Sequence, residues 1–167
     1  MQNHNKPTTP FNSSYNPSSA SAYAFAHKKS ESIGRCAGFV GEAMRYGGYA
    51  GSMSDRPMSA CAYSKFMKFW GFNEVYANFG RCNDGWSKIP LSYADQEEKR
   101  IYYPLDGDVA VIAGTNKKKH GHIHIYNAAN KVWVSDFACD TVWCYGDEGR
   151  PYIIYRWKID TTNNPTA

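Results

Sequence analysis

The sequence predicts an α+β domain in which N-terminal helices pack on an antiparallel sheet. Two observations lead to this prediction: apolar residues first recur at helical spacing, and four segments with a period of two then follow one another. Strands that follow one another along the chain without helices between them favour antiparallel pairing, and the preceding helices then cover one face. A chain of 167 residues has room for one such domain and not for a second full one.

Two helices are predicted in the first half of the chain. The first begins at Cys36 and ends at Gly47, and its apolar face comprises Phe39, Val40, Ala43 and Met44. The second begins near Pro57 and ends at Gly71, and its apolar face comprises Met58, Ala62, Phe66, Phe69 and Trp70. Residues 72–104 carry turn formers such as Asn83-Asp84-Gly85, which predict a long irregular connection that could wall a substrate groove.

Four strands are predicted in the second half, at residues 108–112, 122–126, 131–136 and 152–157. A hairpin that closes over residues 128–130 would pair Tyr126 with Val132 and His122 with Asp136. Paired residues have Cβ atoms about 4.5–5.5 Å apart, close enough for a carboxylate to hold an imidazole. A loop with an even number of residues would remove this pairing.

Composition defines the domain boundaries. Residues 1–29 are rich in Asn, Ser, Thr and Pro, which predicts a flexible N-terminal arm. Four aromatic residues in the arm leave room for parts of it to pack on the domain, namely Phe11, Tyr15, Tyr23 and Phe25. Residues 30–160 form the predicted single domain, and residues 161–167 form a C-terminal tail.

Composition and charge also limit the partners. The chain is 43% hydrophobic without an apolar run long enough to cross a bilayer, so we expect no membrane segment. Its start does not resemble a signal peptide, so we expect a chain made in the cytoplasm. The net charge of +4 mildly favours an anionic polymer, but the lysines at 117–119 are explained more simply as a solvated loop. We expect no nucleic-acid partner.

Cys36, His122 and Asp136 form a candidate hydrolytic triad. Cys36 lies at a helix N-terminus, where backbone N–H groups and the helix dipole favour thiolate over thiol. His122 would take the thiol proton, and Asp136 would hold the imidazole. Each residue alone is more often structural, so only the combination indicates acyl transfer. The backbone N–H of Cys36 is the natural first donor to an oxyanion, and the second donor stays unassigned.

Four sequence blocks resemble those of a known group of enzymes. They are SIGRCAGFV at residues 32–40, GDVAV at 107–111, GHIHIY at 121–126 and WVSDF at 133–137. Together, and in this order, they resemble the blocks of CHAP and NlpC-type peptidoglycan amidohydrolases with a papain-like fold, and especially those of type VI secretion amidase effectors. A lone Gly-His or Gly-x-Cys would carry little weight.

The resemblance implies hydrolysis of amide bonds in the peptide stems or cross-links of bacterial peptidoglycan. Cys36 and His122 fall on the family's catalytic pair, and Asp136 falls where a third polar member is plausible. The resemblance implies no cofactor. It also implies delivery by secretion machinery to the periplasm of a target cell, and a cognate immunity protein that blocks the active-site groove.

Several alternatives stay open. His124 departs from the family pattern, which favours a smaller residue there, and His120, His122 and His124 together raise the possibility of a metal site. No Cys-x-x-Cys or His-Glu-x-x-His spacing supports one, so we expect no metal. The rival functions are a papain-like acyltransferase, a phage or housekeeping cell-wall endopeptidase, and a wall-binding module without catalysis.

The remaining polar and aromatic candidates have structural interpretations. Asp108 after Gly107 predicts a turn acid, and Trp133, Trp143 and Trp157 predict core packing rather than stacking on sugars. The chain has five cysteines, an odd number that leaves Cys36 free if the others pair as Cys139 with Cys144 and Cys61 with Cys82. The alternative is that all four are reduced core residues.

Overall fold

The structure is a computed structural model that describes residues 14–48, 59–78, 104–114, 118–144 and 150–158. Its helices are α1 (Pro17–His27), α2 (Cys36–Tyr46), a 3-10 helix (Ala60–Lys65) and α3 (Met67–Trp70). Its strands are β1 (Phe72–Asn78), β2 (Val109–Ile112), β3 (His122–Asn127), β4 (Val132–Val134), β5 (Ala138–Cys139) and β6 (Tyr152–Trp157). None of the helices in these described ranges has the length and apolarity needed to cross a bilayer.

The described strands form one antiparallel sheet in the order β1-β6-β2-β3-β4-β5. Because side chains alternate along a strand, each face has its own apolar cluster. The face that α1 and α2 cover, here called the helical face, is built on Val109, Val111, Ile123, Ile125, Val134 and Ile153. The other, here called the tryptophan face, is built on Ala110, Ile112, Trp133, Tyr152 and Ile154. The predicted α+β architecture is confirmed.

Helix α1 lies inside the segment predicted as a flexible arm. Asn16 caps it by accepting the Ser19 N–H at 3.0 Å, and Pro17 occupies its first turn. Ala20 and Ala24 are buried against the core. In this stretch the chain packs on the domain, which is the alternative that Tyr15, Tyr23 and Phe25 left open, because small side chains let α1 approach α2 closely. Residues 1–13 and 161–167 lie outside the described residues.

The region after α2 also differs from the sequence prediction. In place of one helix, a 3-10 helix leads into the short α3, which ends as predicted at Gly71 with a left-handed φ of 113°. The predicted start near Pro57 lies outside the described residues. The connection predicted as irregular begins with strand β1, which pairs with β6 through long-range contacts that local sequence does not report.

The β3–β4 hairpin corrects the predicted register. Tyr126 pairs with Trp133 and Asn127 with Val132, so the predicted pairing of Tyr126 with Val132 is wrong. The reason is that Lys131 adopts a left-handed φ of 54° and belongs to the turn, which makes the loop one residue longer than expected. A shift of one residue exchanges the two faces of a strand. Asp136 therefore lies on the helical face, and His122 does not face it.

Candidate active site

Cys36 is the first residue of α2 and lies against the helical face. Its side chain is half-buried beside the core cluster that includes Ile123 and Val40. The backbone N–H groups of Ile123, Ala37 and Cys36 itself lower the pKa of its thiol. Those of Cys36 and Ala37 are groups that a helix N-terminus leaves unpaired, and they suit a negatively charged sulfur or an oxyanion formed next to it.

The loop before Cys36 is held by the carboxylate of Asp136. Its Oδ2 accepts the Ile33 N–H at 2.8 Å and the Arg35 N–H at 3.1 Å. Gly34, between these two residues, has a φ of 74°, which lets both N–H groups converge on one oxygen. The Ser135 hydroxyl donates to Oδ1 at 3.0 Å. Asp136 is therefore a positioning residue for the Cys36 loop. It does not orient His122, contrary to the sequence prediction.

The hydrogen bonds around Asp136 set its protonation state. Burial by itself would raise the pKa of this carboxyl, but the N–H groups of Arg35 and Ile33 and the Ser135 hydroxyl lower it below its ordinary value. The carboxylate is consequently ionised at neutral pH, and it keeps its two backbone partners through charge-assisted hydrogen bonds.

The environment of Cys36 favours the thiol. Burial raises its pKa most strongly, and the negative charge of Asp136 raises it further, against the lowering effect of the Ile123 N–H. The N–H groups at the helix N-terminus lower the pKa as expected, but desolvation outweighs these backbone donors. Cys36 needs a general base to become a nucleophile.

His122 begins β3 and lies on the tryptophan face. Its Nε2 is 3.7 Å from the Cys144 sulfur, and its ring centre is 4.7 Å from that of His124. Gly121 precedes it with a φ of 68°, and a Cβ there would collide with the Ile112 carbonyl oxygen. Cys36 and Asp136 thus lie on the helical face of the sheet, whereas the His122 ring lies on the tryptophan face. The backbone of Ile123, the residue after His122, lies beside Cys36.

His124 is a core residue. It is fully buried and stacks on Trp133 with ring centres 4.9 Å apart. Burial, together with the neighbouring His122, lowers the pKa of this imidazole well below its ordinary value, so the ring is neutral at physiological pH. The tryptophans pack as predicted: Trp143 meets Tyr152 at 5.5 Å and Trp157 meets Phe72 at 5.3 Å.

Asp108 has the structural role that the sequence predicted. Its two carboxylate oxygens accept a bidentate pair of hydrogen bonds from Arg156, each 2.9 Å long. Oδ2 also accepts the Leu105 N–H at 2.9 Å, which closes the turn before β2. The carboxylate is buried, and these contacts join β2 to β6 at a distance from Cys36 along the sheet.

The cysteines fulfil one of the two predicted pairings. Cys139 and Cys144 form a disulfide, whereas Cys61 is a free thiol, so the predicted Cys61–Cys82 bridge is wrong. Cys82 itself lies outside the described residues. Sequence analysis missed the position of Cys144 beside His122 and His124, since neither spacing nor strand period relates it to them.

Comparison with known proteins gives matches among solved structures. No family model and no curated protein matches the chain. The chain is similar to a chain in the native type VI effector-immunity complex Tae3-Tai3 from Ralstonia pickettii, with a TM-score of 0.58 and 27% identity over 86% of this chain and 99% of that chain. This chain resembles the type VI amidase effectors. The selenomethionine form of the complex matches with a TM-score of 0.55 and 27% identity, over 82% of this chain and 98% of that one.

The likeness to the Tae3-Tai3 chain confirms the predicted resemblance and the papain-like α+β fold. In such a fold a cysteine at the start of a helix lies against an antiparallel sheet, as Cys36 does here. The described residues place the predicted nucleophile at a helix N-terminus, directly after a loop that Asp136 anchors. His122 is the first residue of β3, and the backbone of the next residue, Ile123, lies beside Cys36.

Proposed function

We propose that this chain is a cysteine amidase that hydrolyses amide bonds in the peptide stems or cross-links of bacterial peptidoglycan, as an antibacterial effector of type VI secretion. The observation that carries the proposal is the likeness to a chain of an effector-immunity complex over 86% of the sequence. Cys36, at the start of α2 with backbone N–H groups around its sulfur, supports the amidase chemistry.

In the proposed reaction, the Cys36 sulfur attacks the carbonyl carbon of the amide. The thiol proton passes to His122 and then to the leaving amine, which departs as the C–N bond breaks and a thioester remains on the enzyme. Water then attacks the thioester, gives its proton to His122, and releases a carboxylic acid and the thiol. The Cys36 N–H stabilises the oxyanion in both steps.

The position of His122 adds one requirement to this reaction. The imidazole lies on the tryptophan face, and it has to reach the helical face to take the Cys36 proton. His122 is the first residue of β3 and pairs with Ile112 of β2, so this end of the strand has to open before the ring can change faces.

The setting of the reaction is part of the same proposal. The chain is made in the cytoplasm, leaves the producing cell through the secretion machinery and acts in the periplasm of the target cell. A cognate immunity protein binds the groove around Cys36. The immunity partner is proposed from the complex in which the similar chain was crystallised.

The deciding experiment is digestion of purified peptidoglycan, followed by mass spectrometry of the muropeptides. Hydrolysis adds one water per bond and creates new amino termini, and the product masses identify the bond. Cys36→Ala should show no products, and Cys61→Ala, at a second free and half-buried cysteine among the described residues, should match the wild type. An acyltransferase would instead attach an acceptor without adding water. Unchanged digestion by Cys36→Ala, or no new amino termini with wild type, would overturn the proposal.

A further inference from the structure

We infer that His122, His124 and Cys144 bind a divalent zinc-type cation when the Cys139–Cys144 disulfide is reduced. All three side chains are buried on the tryptophan face, and one potential ligand atom from each lies within 4.8 Å of the other two. The Cys144 sulfur is 3.7 Å from His122 Nε2 and 3.9 Å from His124 Nδ1. No spacing or strand period in the sequence relates this cysteine to the histidines.

These distances match the edges of a metal tetrahedron. With zinc bonds of about 2.0–2.1 Å to nitrogen and 2.3 Å to sulfur, neighbouring nitrogen and sulfur ligands lie about 3.6 Å apart. The two sulfur–nitrogen distances need to change by only a few tenths of an ångström to reach that value. The site is therefore organised before any metal arrives, because β3 and the segment after β5 already hold the ligands.

The ligand types select the metal. Two imidazoles and a thiolate suit zinc and other borderline or soft cations, and they exclude magnesium and calcium, which prefer oxygen. Cys139, bonded to Cys144 in the oxidised chain, is the fourth candidate, and the four intervening residues fall within the usual spacing of zinc cysteines.

The disulfide and the metal compete for the same sulfur. A dithiol reductant that breaks the Cys139–Cys144 bond is itself oxidised to a disulfide and leaves two protein thiols. Binding of the cation then displaces a proton from each thiol that ligates it. In the reverse direction, a disulfide oxidant accepts two electrons from the two cysteines, their bond re-forms, and the cation is released. The chain thus has two exclusive states at one site.

One consequence rests on the proposed function. A cation bound to His122 would hold this imidazole on the tryptophan face, away from Cys36, so the reduced, metal-bound chain should not hydrolyse peptidoglycan. Oxidation to the disulfide, or removal of the metal by a chelator, would release the ring. The binding site itself does not depend on this consequence.

The test is titration of the full chain with Co²⁺, which reports tetrahedral thiolate coordination by its visible and charge-transfer absorption, followed by displacement with Zn²⁺. The chain reduced with a phosphine should bind one equivalent, and the disulfide form should bind at least about 10-fold more weakly. Cys144→Ser should weaken binding by at least about 10-fold, and Cys61→Ser should leave it unchanged. His124→Ala should behave like Cys144→Ser, with circular dichroism to establish that each variant is folded.

Equal binding by reduced wild type and folded Cys144→Ser, or an absence of thiolate absorption in the reduced wild type, would overturn the inference. The titration uses no peptidoglycan, so it separates this inference from the proposed function. Metal binding by a chain without wall hydrolysis would support the site and refute the amidase. Wall hydrolysis by a chain that binds no metal would refute the metal site and support the amidase.

Discussion

The carboxylate of Asp136 accepts a hydrogen bond from the backbone N–H of Arg35, the residue directly before Cys36, at 3.1 Å. Because the same oxygen holds Ile33, the position of the predicted nucleophile depends on a residue 100 positions further along the chain. Asp136 would therefore influence the proposed reaction through Cys36, whose loop it anchors. Other groups would have to orient His122.

Asp136→Asn should reduce both stability and peptidoglycan hydrolysis. The substitution removes the charge from two backbone hydrogen bonds in a buried site, which we expect to cost about 1.5–3 kcal/mol of unfolding free energy. Urea unfolding and digestion rates measure the two effects. Asp140→Asn, at an exposed aspartate nearby, is the matched control and should change neither. Wild-type stability in Asp136→Asn would contradict the anchoring role.

The stabilisation by Asp136 should depend on pH in one direction. Its pKa is lowered in the folded chain, so the carboxylate contributes stability that is complete above the ordinary value of 3.8 and is lost as pH falls through the folded value. The difference in unfolding free energy between wild type and Asp136→Asn should therefore shrink at acidic pH. A difference that is the same at pH values well above and well below 3.8 would refute this expectation.

Cys36 should react as a thiol with a raised pKa. Burial and the Asp136 charge raise its pKa, so alkylation by iodoacetamide should have its midpoint at a higher pH than that of an ordinary cysteine. Peptide mass spectrometry distinguishes Cys36 from Cys61. Asp136→Asn should move the midpoint down because the negative charge is gone. A midpoint below the ordinary value would mean that a thiolate–imidazolium pair exists in solution.

His122→Ala should abolish hydrolysis, whereas His124→Ala should keep part of it. His124 packs on Trp133 in the core, so its truncation should cost about 2–4 kcal/mol of stability through the cavity it leaves. Digestion rates per folded molecule, with unfolding curves for each variant, separate the two effects. The reverse pattern of activities would assign the general base to His124.

Asp108→Asn should destabilise the chain without a specific loss of activity. The substitution removes the charge from a buried carboxylate that pairs with Arg156, whose side chain is 25% exposed, and we expect a cost of about 1.5–3 kcal/mol. Arg156→Lys, which retains the charge but not the paired geometry, should cost less. Urea unfolding provides the comparison, and equal stabilities of Asp108→Asn and wild type would rule out the structural role.

The oxidised chain should contain the Cys139–Cys144 disulfide and free thiols at Cys36 and Cys61. Proteolysis without reduction, after alkylation, should yield a linked species that contains both Cys139 and Cys144 and loses the link on reduction. Cys36 and Cys61 should carry the alkyl label. Alkylation at Cys139 in protein that has been fully oxidised would contradict the structure.

Local sequence patterns predicted the features that depend on neighbouring residues. The apolar spacing after Cys36 defined α2, and Gly71 marked a helix end, because capping and periodicity act over one or two turns. Alternation of side chains predicted β2, β3, β4 and β6, and short separation predicted the disulfide between Cys139 and Cys144. The likeness of four sequence blocks to amidase effectors led to the same family as the structural comparison.

Tertiary structure decided which face of the sheet each residue occupies. One additional residue in the β3–β4 turn, Lys131, moved Asp136 to the helical face beside the Cys36 loop. Strand β1 and the packing of α1 were decided by contacts with distant segments, which no local pattern contains. Cys144 reached His122 and His124 for the same reason. Strand register and loop closure depend on the free energy of the whole packed sheet, so periodicity predicts that strands exist and leaves their partners undetermined.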